Sequence, residues 1–333
     1  MDKLASQIIN AANRVLDGFS VTMEEAEELD RAEDSNIILL CAFANKIREK
    51  FMGNRVDLCS VINGKSGNCS EDCAFCSQSS HNHAKIHCHP LLNEDEIVRL
   101  AVQREKAGAR HCDIATSGLG YTGGEEEFKT ILRAFRKIKE RTRLKMCACL
   151  GTLTEKAAKM LAESGVERYN HNLETAESFY GSVVTTHGYT ERINTIKYAQ
   201  KAGMEVCSGM IVGMGETPEQ RLEHTFLLKE LNVDAVPVNV LNPVKGTRLQ
   251  DREPLAPLDI LKTFAIIRFI LPDKNIRYAG GRETGLKSLQ PLGLVSGLNG
   301  MLIGDYLTTN GQNAGKDLDM LESLNLAYDS SGA

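Results

Sequence analysis

The sequence predicts an α/β protein, a closed (β/α)8 barrel behind an N-terminal helical extension. Three observations point there. Eight short apolar segments recur from about Val56 onward. Each is followed by a charged amphipathic stretch, and several of those stretches carry recognisable helix ends. Strands that alternate with helices at this rhythm pair in parallel; eight units make a closed barrel the first reading and an open doubly wound sheet the second.

The elements follow in order. Ile8, Ile9, Ala12 and Leu16 fall at helical spacing, as do Ile37, Leu40, Cys41, Ala44 and Ile47, so residues 1–52 read as the helical extension. The barrel then runs over 53–325, with strands expected at 57–62, 111–117, 143–150, 168–173, 205–212, 235–241, 275–279 and 300–307. Asn93 with Glu96 resembles a capping box. The stripe Ala157, Met160, Leu161, Ser164 stops at Gly165, and Gly203 closes the helix that holds Ile193 and Ile196. Thr217, Pro218 and Gln220 form an N-cap, a first-turn proline and a capping partner. Pro257 opens a further helix and Pro272 follows its end. Residues 326–333 read as a flexible tail.

Composition narrows the class. The chain has 333 residues, 42% hydrophobic and 25% charged, the balance of a globular enzyme. Lys plus Arg number 39 against 44 Asp plus Glu, a net charge of −5 that argues against a nucleic-acid partner. No apolar run approaches the roughly 20 residues that span a bilayer, and residues 1–19 lack the apolar block of a signal peptide. A cytoplasmic protein without a membrane partner is expected. In that reducing compartment its ten cysteines read as metal ligands rather than a disulfide framework.

The strongest local signal is Cys69-x3-Cys73-x2-Cys76, with Phe75 before the last cysteine, in a loop just beyond the first strand. Three thiolates on one loop suit a soft metal centre. A structural zinc site wants four closed positions, so that reading needs a fourth ligand from His81, His83, His87, Cys88 or His89. A 4Fe–4S cluster on three cysteines instead keeps one iron open. The spacing and the aromatic resemble the fingerprint of the radical S-adenosylmethionine superfamily. That resemblance implies S-adenosylmethionine chelated to the open iron, and a 5′-deoxyadenosyl radical formed when an electron cleaves its sulfonium bond.

A second constellation is spread over separate strands: Cys112, the pair Cys147 and Cys149, Cys207, and Arg277. Each cysteine alone reads as a small buried hydrophobe, and Arg277 as an ion-pair partner. Together in a barrel, whose strands aim alternate side chains at one interior, they could hold a second iron–sulfur centre. Asn170, Asn172 and Glu174 share one face of another strand, and such groups inside a barrel need partners. Other features carry less. Residues 118–124 are glycine-rich but lack the Lys-Ser/Thr of a phosphate loop, the histidines of 81–89 read as a mobile polar loop, and Glu125 to Glu127 as a helix start.

Over residues 50–325 the chain resembles the biotin synthases. The blocks that carry this are 67–79, 169–175, 206–217, 236–239 and 304–309. The resemblance implies a TIM-type barrel that converts dethiobiotin to biotin. It implies a 4Fe–4S cluster on Cys69, Cys73 and Cys76, flanked by Phe75 and used with S-adenosylmethionine. An auxiliary cluster, usually 2Fe–2S, would give up the inserted sulfur, with Cys112, Cys147, Cys207 and Arg277 as ligands, Cys149 as a further candidate and Arg282 as the alternative arginine. Asn172 and Glu174 would meet the ribose of S-adenosylmethionine and Arg192 its carboxylate. Asn170, Asn172 and Asn239 would face dethiobiotin. Glu174 stands where the family pattern has Asp. A homodimer served by an electron donor such as flavodoxin or ferredoxin is implied as well. Two other readings remain open at this level: a different biotin-synthase-like radical enzyme, such as a maturase, and a zinc-binding structural protein without turnover.

Overall fold

A computed structural model describes residues 2–328. Eight parallel strands form the barrel: β1 (Arg55–Lys65), β2 (His111–Thr116), β3 (Lys145–Cys149), β4 (Arg168–Asn170), β5 (Glu205–Cys207), β6 (Ala235–Val240), β7 (Asn275–Tyr278) and β8 (Gly300–Leu302). Each pairs with the next in this order, and β8 pairs with β1, so the ring is closed.

Three strands end well before the apolar pattern suggests: β8, expected over 300–307, stops at Leu302, and two others bear on the site. β4 stops at Asn170, and Glu174 beyond it takes a left-handed backbone with φ 72°. The expected strand 205–212 is divided: β5 ends at Cys207, and Met210–Val212 pairs with the far half of β6. Gly209 makes that approach possible, because a Cβ there would lie 2.0 Å from the Pro237 carbonyl oxygen.

Three helices precede the barrel: α1 (Lys3–Leu16), α2 (Met23–Asp30) and α3 (Asp34–Met52). Asp2 caps α1 by accepting from the Leu4 and Ala5 amides, and Thr22 with Glu25 forms a capping box on α2. α3 packs on the outer helix Pro257–Ile270, where the Cys41 thiol meets the Leu261 carbonyl at 3.8 Å. At the other end, Leu326 is buried and Ala327–Tyr328 pairs in parallel with the start of β1. The tail expected from 326 is therefore ordered through Tyr328, because its backbone completes the edge beside Arg55 and Val56; 329–333 lie outside the described residues. No helix among the described residues is long and apolar enough to cross a membrane.

The period of two decides what enters the barrel. On β1 the outward residues Val56, Leu58 and Ile62 join the core between sheet and helices, leaving Asp57, Cys59 and Val61 inside. On β2 Cys112 and Ile114 face outward, and His111, Asp113 and Ala115 inward. On β3 Met146 and Ala148 are outward, which turns Cys147 and Cys149 inward. A charged layer plugs the N-terminal end. Asp57 accepts from Arg277 Nη2 at 2.6 Å and Asn275 Nδ2 at 2.8 Å, and His111 Nδ1 lies 2.7 Å away. Burial alone would raise the Asp57 carboxyl, but Arg277, His111 and Arg168 hold it well below the usual range. The open chamber is left at the C-terminal ends of the strands, where barrels of this type place their chemistry.

Candidate active site

The cysteine loop leaves β1 and is tied down from several sides. The Cys69 amide donates to the Gln78 carbonyl at 3.0 Å, and the Cys69 carbonyl accepts from Ser80 at 2.8 Å. Asn82 Nδ2 donates to the carbonyls of Cys73 and Cys76, at 3.1 and 2.8 Å. Asp72 accepts from the Thr185 amide and hydroxyl, which anchors the loop to the segment after β4. These bonds fix the loop backbone at each of the three cysteines without engaging their sulfurs.

The donor set fits an iron–sulfur cluster. Burial pushes the Cys73 thiol up to about 12 and the Cys76 thiol to about 11, so neither ionises near neutrality without added positive charge. A metal centre supplies that charge and holds both as thiolates. The zinc reading lacks its fourth ligand here. His81 Nε2 is 3.0 Å from the Ser70 carbonyl, His87 and His89 face each other at 5.8 Å, and Cys88 is exposed beside Gly67. Among the described residues no three Cys, His, Asp or Glu side chains converge on a single ion; a cluster of four irons spaces its thiolates more widely than one ion does.

Next to the loop lies a second polar group. Arg192, on the helix Tyr189–Lys201, donates Nη1 to the Asn172 carbonyl at 2.6 Å and Nε to the Tyr180 hydroxyl at 2.8 Å. Its Nη1 is 3.6 Å from Glu174 Oε1. Burial raises the Glu174 carboxyl and Arg192 draws it partly back; the same pair acts on the Cys73 thiol, so cluster loop and ion pair are neighbours. Glu174 Oε2 is buried without a partner. Asn172 Oδ1 accepts from the Gly209 amide at 3.1 Å.

Between this group and the plugged end is a cavity of about 330 Å³. Cys59, Cys149, Cys207 and Arg277 line one part of it, Asn170, Asn172 and Asn239 another, and Phe75 and Cys76 close the side toward the loop. Asn170 Nδ2 donates to Asp113 Oδ2 at 2.8 Å, and Asn239 Oδ1 accepts from the Gly280 amide at 2.9 Å. Burial pushes the Asp113 carboxyl up to about 7, and its Oδ1 has no partner. Ser77 and Thr308 share a 2.7 Å hydroxyl contact that joins the cysteine loop to the segment after β8 across the mouth. Unpaired polar atoms in an enclosed space, three carboxamides and a set of thiols describe a chamber shaped for a polar guest and a soft metal.

Comparison with known proteins agrees with this geometry. Residues 65–228 match the model of the Radical SAM superfamily, and 237–327 that of the Biotin and Thiamin Synthesis associated domain. A biotin synthase of Clostridium acetobutylicum is 68% identical over 97% of this chain and 98% of its own length. The biotin synthase of Carboxydothermus hydrogenoformans is 57% identical over 96% and 99%. The chain belongs to the biotin synthase family. A solved methylornithine synthase, 20% identical, superposes with a TM-score of 0.83 over 96% of this chain and 98% of that one, which shows the shared barrel.

Within this family member the sequence-derived residues are not all brought together. Cys69, Cys73 and Cys76 share one loop, with Phe75 on the cavity wall; Asn170, Asn172 and Asn239 line the cavity, and Arg192 and Glu174 lie beside Asn172. Cys147, Cys149, Cys207 and Arg277 have inward positions. Cys112 does not: it is fully buried among outward residues, next to Ser60 and Arg104. The expectation that it faces the chamber is corrected by strand parity, since it alternates with Asp113, which lines the cavity. Arg282, the alternative to Arg277, is placed elsewhere. It makes two bonds to the Asp317 carboxylate, at 2.9 and 2.8 Å, and another to the Tyr306 hydroxyl. Among the chamber residues that escaped the sequence reading are Cys59 and Asp113. The signal was present, because Cys59 shares the parity of Val61 and Asp113 that of Ala115, but the pattern alone did not say which parity was inside.

Proposed function

We propose that the protein is a biotin synthase that inserts sulfur into dethiobiotin, the last step of biotin formation. The observation that carries this reading is the single chamber that joins a three-cysteine loop, a carboxamide-lined cavity and a group of barrel thiols. When bound, a 4Fe–4S cluster with S-adenosylmethionine supplies a 5′-deoxyadenosyl radical able to take hydrogen from unactivated carbon, and an auxiliary iron–sulfur centre supplies the sulfur. Cys69, Cys73 and Cys76 would hold the first cluster.

The chain's own residues do the rest. Arg192 is poised to pair with the cofactor's carboxylate, held in place by Asn172 and Tyr180. The unpaired Glu174 Oε2 and the Asn172 side chain offer acceptors to ribose hydroxyls. Asn170, Asn172 and Asn239 present carboxamides to a ureido ring, which needs a donor and an acceptor at once. The Ser77–Thr308 contact ties the cysteine loop to the segment after β8 at the cavity wall, which narrows the access of water to the site. A small electron carrier such as flavodoxin or ferredoxin would reduce the cluster in the cytoplasm, with the chain acting as a homodimer.

A single-turnover assay on anaerobically reconstituted protein tests this. Given S-adenosylmethionine, a reductant and dethiobiotin, it should yield 5′-deoxyadenosine and biotin. Formation of 5′-deoxyadenosine with no biotin would reject the substrate while leaving radical chemistry in place.

A further inference from the structure

The reading above requires a second iron–sulfur centre, and strand parity decides which sulfurs of this chain can reach one. Four thiols point into the barrel: Cys59 on β1, Cys147 and Cys149 on β3, and Cys207 on β5. Cys59, Cys149 and Cys207 line the cavity. Cys147 is one layer deeper, in register with Asp113 on one side and Arg168 on the other. The thiols sense one another's charge in pairs, Cys59 with Cys207, Cys59 with Cys147, and Cys149 with Cys207, so the four occupy one region. Cys112 lies on the far side of the sheet, and Asp113 presents a carboxyl to the chamber at that point of β2. Arg277 also lines the cavity, with its Nε buried and unpaired, but its charge is matched by Asp57, to which it donates Nη2 at 2.6 Å in the plug below.

We propose that the auxiliary centre of this chain is held by the four thiols of Cys59, Cys147, Cys149 and Cys207, with Cys112 excluded and Arg277 left in its ion pair. The inference rests on the biotin synthase reading and changes its ligand set. Four thiolates are the ordinary complement of either a 2Fe–2S or a 4Fe–4S cluster, so no guanidine nitrogen is needed to complete it. A thiol set drawn from β1, β3 and β5 also spans the chamber floor from opposite sides.

The test is anaerobic reconstitution of the full chain and of Cys59→Ala, Cys149→Ala and Cys112→Ala, with iron, acid-labile sulfide and Mössbauer spectra recorded for each. Circular dichroism checks that each variant is folded. Cys59→Ala and Cys149→Ala should each lose half or more of the second centre's iron, or change its spectrum, and keep the loop cluster; Cys112→Ala should match the parent. A second measurement needs no variant: pulsed EPR of the reduced parent, without S-adenosylmethionine, should show no nitrogen coupling from Arg277. A silent Cys59→Ala or Cys149→Ala, a depleted Cys112→Ala, or a strong nitrogen coupling overturns the ligand set. A parent that carries only the loop cluster overturns the biotin synthase reading as well, a result distinguishable from the others before any variant is made.

Discussion

Arg192 is held by several partners beside the chamber, and its geometry makes a sharp prediction. Its Nη1 serves the Asn172 carbonyl, its Nε serves Tyr180, and its charge offsets the buried Glu174 carboxylate. Removing one member of a buried pair leaves the other charge uncompensated, a change typically worth several kcal/mol. In cluster-loaded protein, Arg192→Met should weaken S-adenosylmethionine binding at least tenfold, about 1.4 kcal/mol, by equilibrium dialysis. Arg192→Lys should recover only part of this, because one ammonium cannot reproduce the fork that reaches both partners. Unchanged affinity in Arg192→Met would detach this residue from the cofactor. At this scale the sequence was readable where a block of residues acts together, as in the 69–76 loop or the 170–174 stretch. It was not readable where two neighbours compete for one role. His111-Cys112-Asp113 offers a thiol and a carboxyl on opposite faces, and only the cavity lined by Asp113 and Ala115 shows that the carboxyl enters the barrel.

At the scale of elements, the helix Pro218–Glu230 packs through Leu222 and Leu228 and bonds the backbone beneath it through a buried imidazole. His224 is fully buried, with Nδ1 2.8 Å from the Thr175 carbonyl and Nε2 3.3 Å from that of Gly209. Burial lowers its pKa from 6.5 to about 4 against the pull of those carbonyls. The sign follows from proton uptake. Below pH 6.5 the unfolded chain binds a proton that the fold does not, so stability is full above 6.5 and falls as pH drops toward about 4. The loss across that window is on the order of 3 kcal/mol. Urea midpoints measured between pH 7 and 4 should fall more steeply for the parent than for His224→Asn; parallel curves would show that this histidine does not titrate differently on unfolding. The eight strands were legible in the sequence because apolar segments alternated with stretches that carry caps and first-turn prolines, although several strand ends were not. The division at Gly209 was not, because it depends on how closely Pro237 on the neighbouring strand approaches, a contact no local pattern encodes.

For the whole molecule, the question is whether the helical extension of 1–52 is a unit of its own. The packing argues that it is continuous with the barrel. Ten residues of the helix Pro257–Ile270 are buried, more than one amphipathic face, because it is covered by the barrel on one side and by α3 on the other. Arg268 at its end is fully enclosed, bonded to the carbonyls of Gly297, Leu271, Pro272 and Lys274 and to Asn299 Oδ1. Gly297 touches that arrangement from below, and a Cβ there would come within 2.7 Å of Arg268 and 3.2 Å of Ala44 on α3. Lys262 reaches the Asp30 carbonyl at 2.8 Å and fixes the end of α2 as well. Stripping the extension would therefore expose a nearly continuous apolar helix rather than a finished surface. Urea unfolding of the apoprotein should give one cooperative transition with coincident far-ultraviolet and tyrosine signals, and a chain lacking residues 1–52 should aggregate on expression. Two resolved transitions, or a soluble truncated chain with the parent's midpoint, would make the extension a separate domain and leave Arg268 and Gly297 as a local repair of the barrel's own edge.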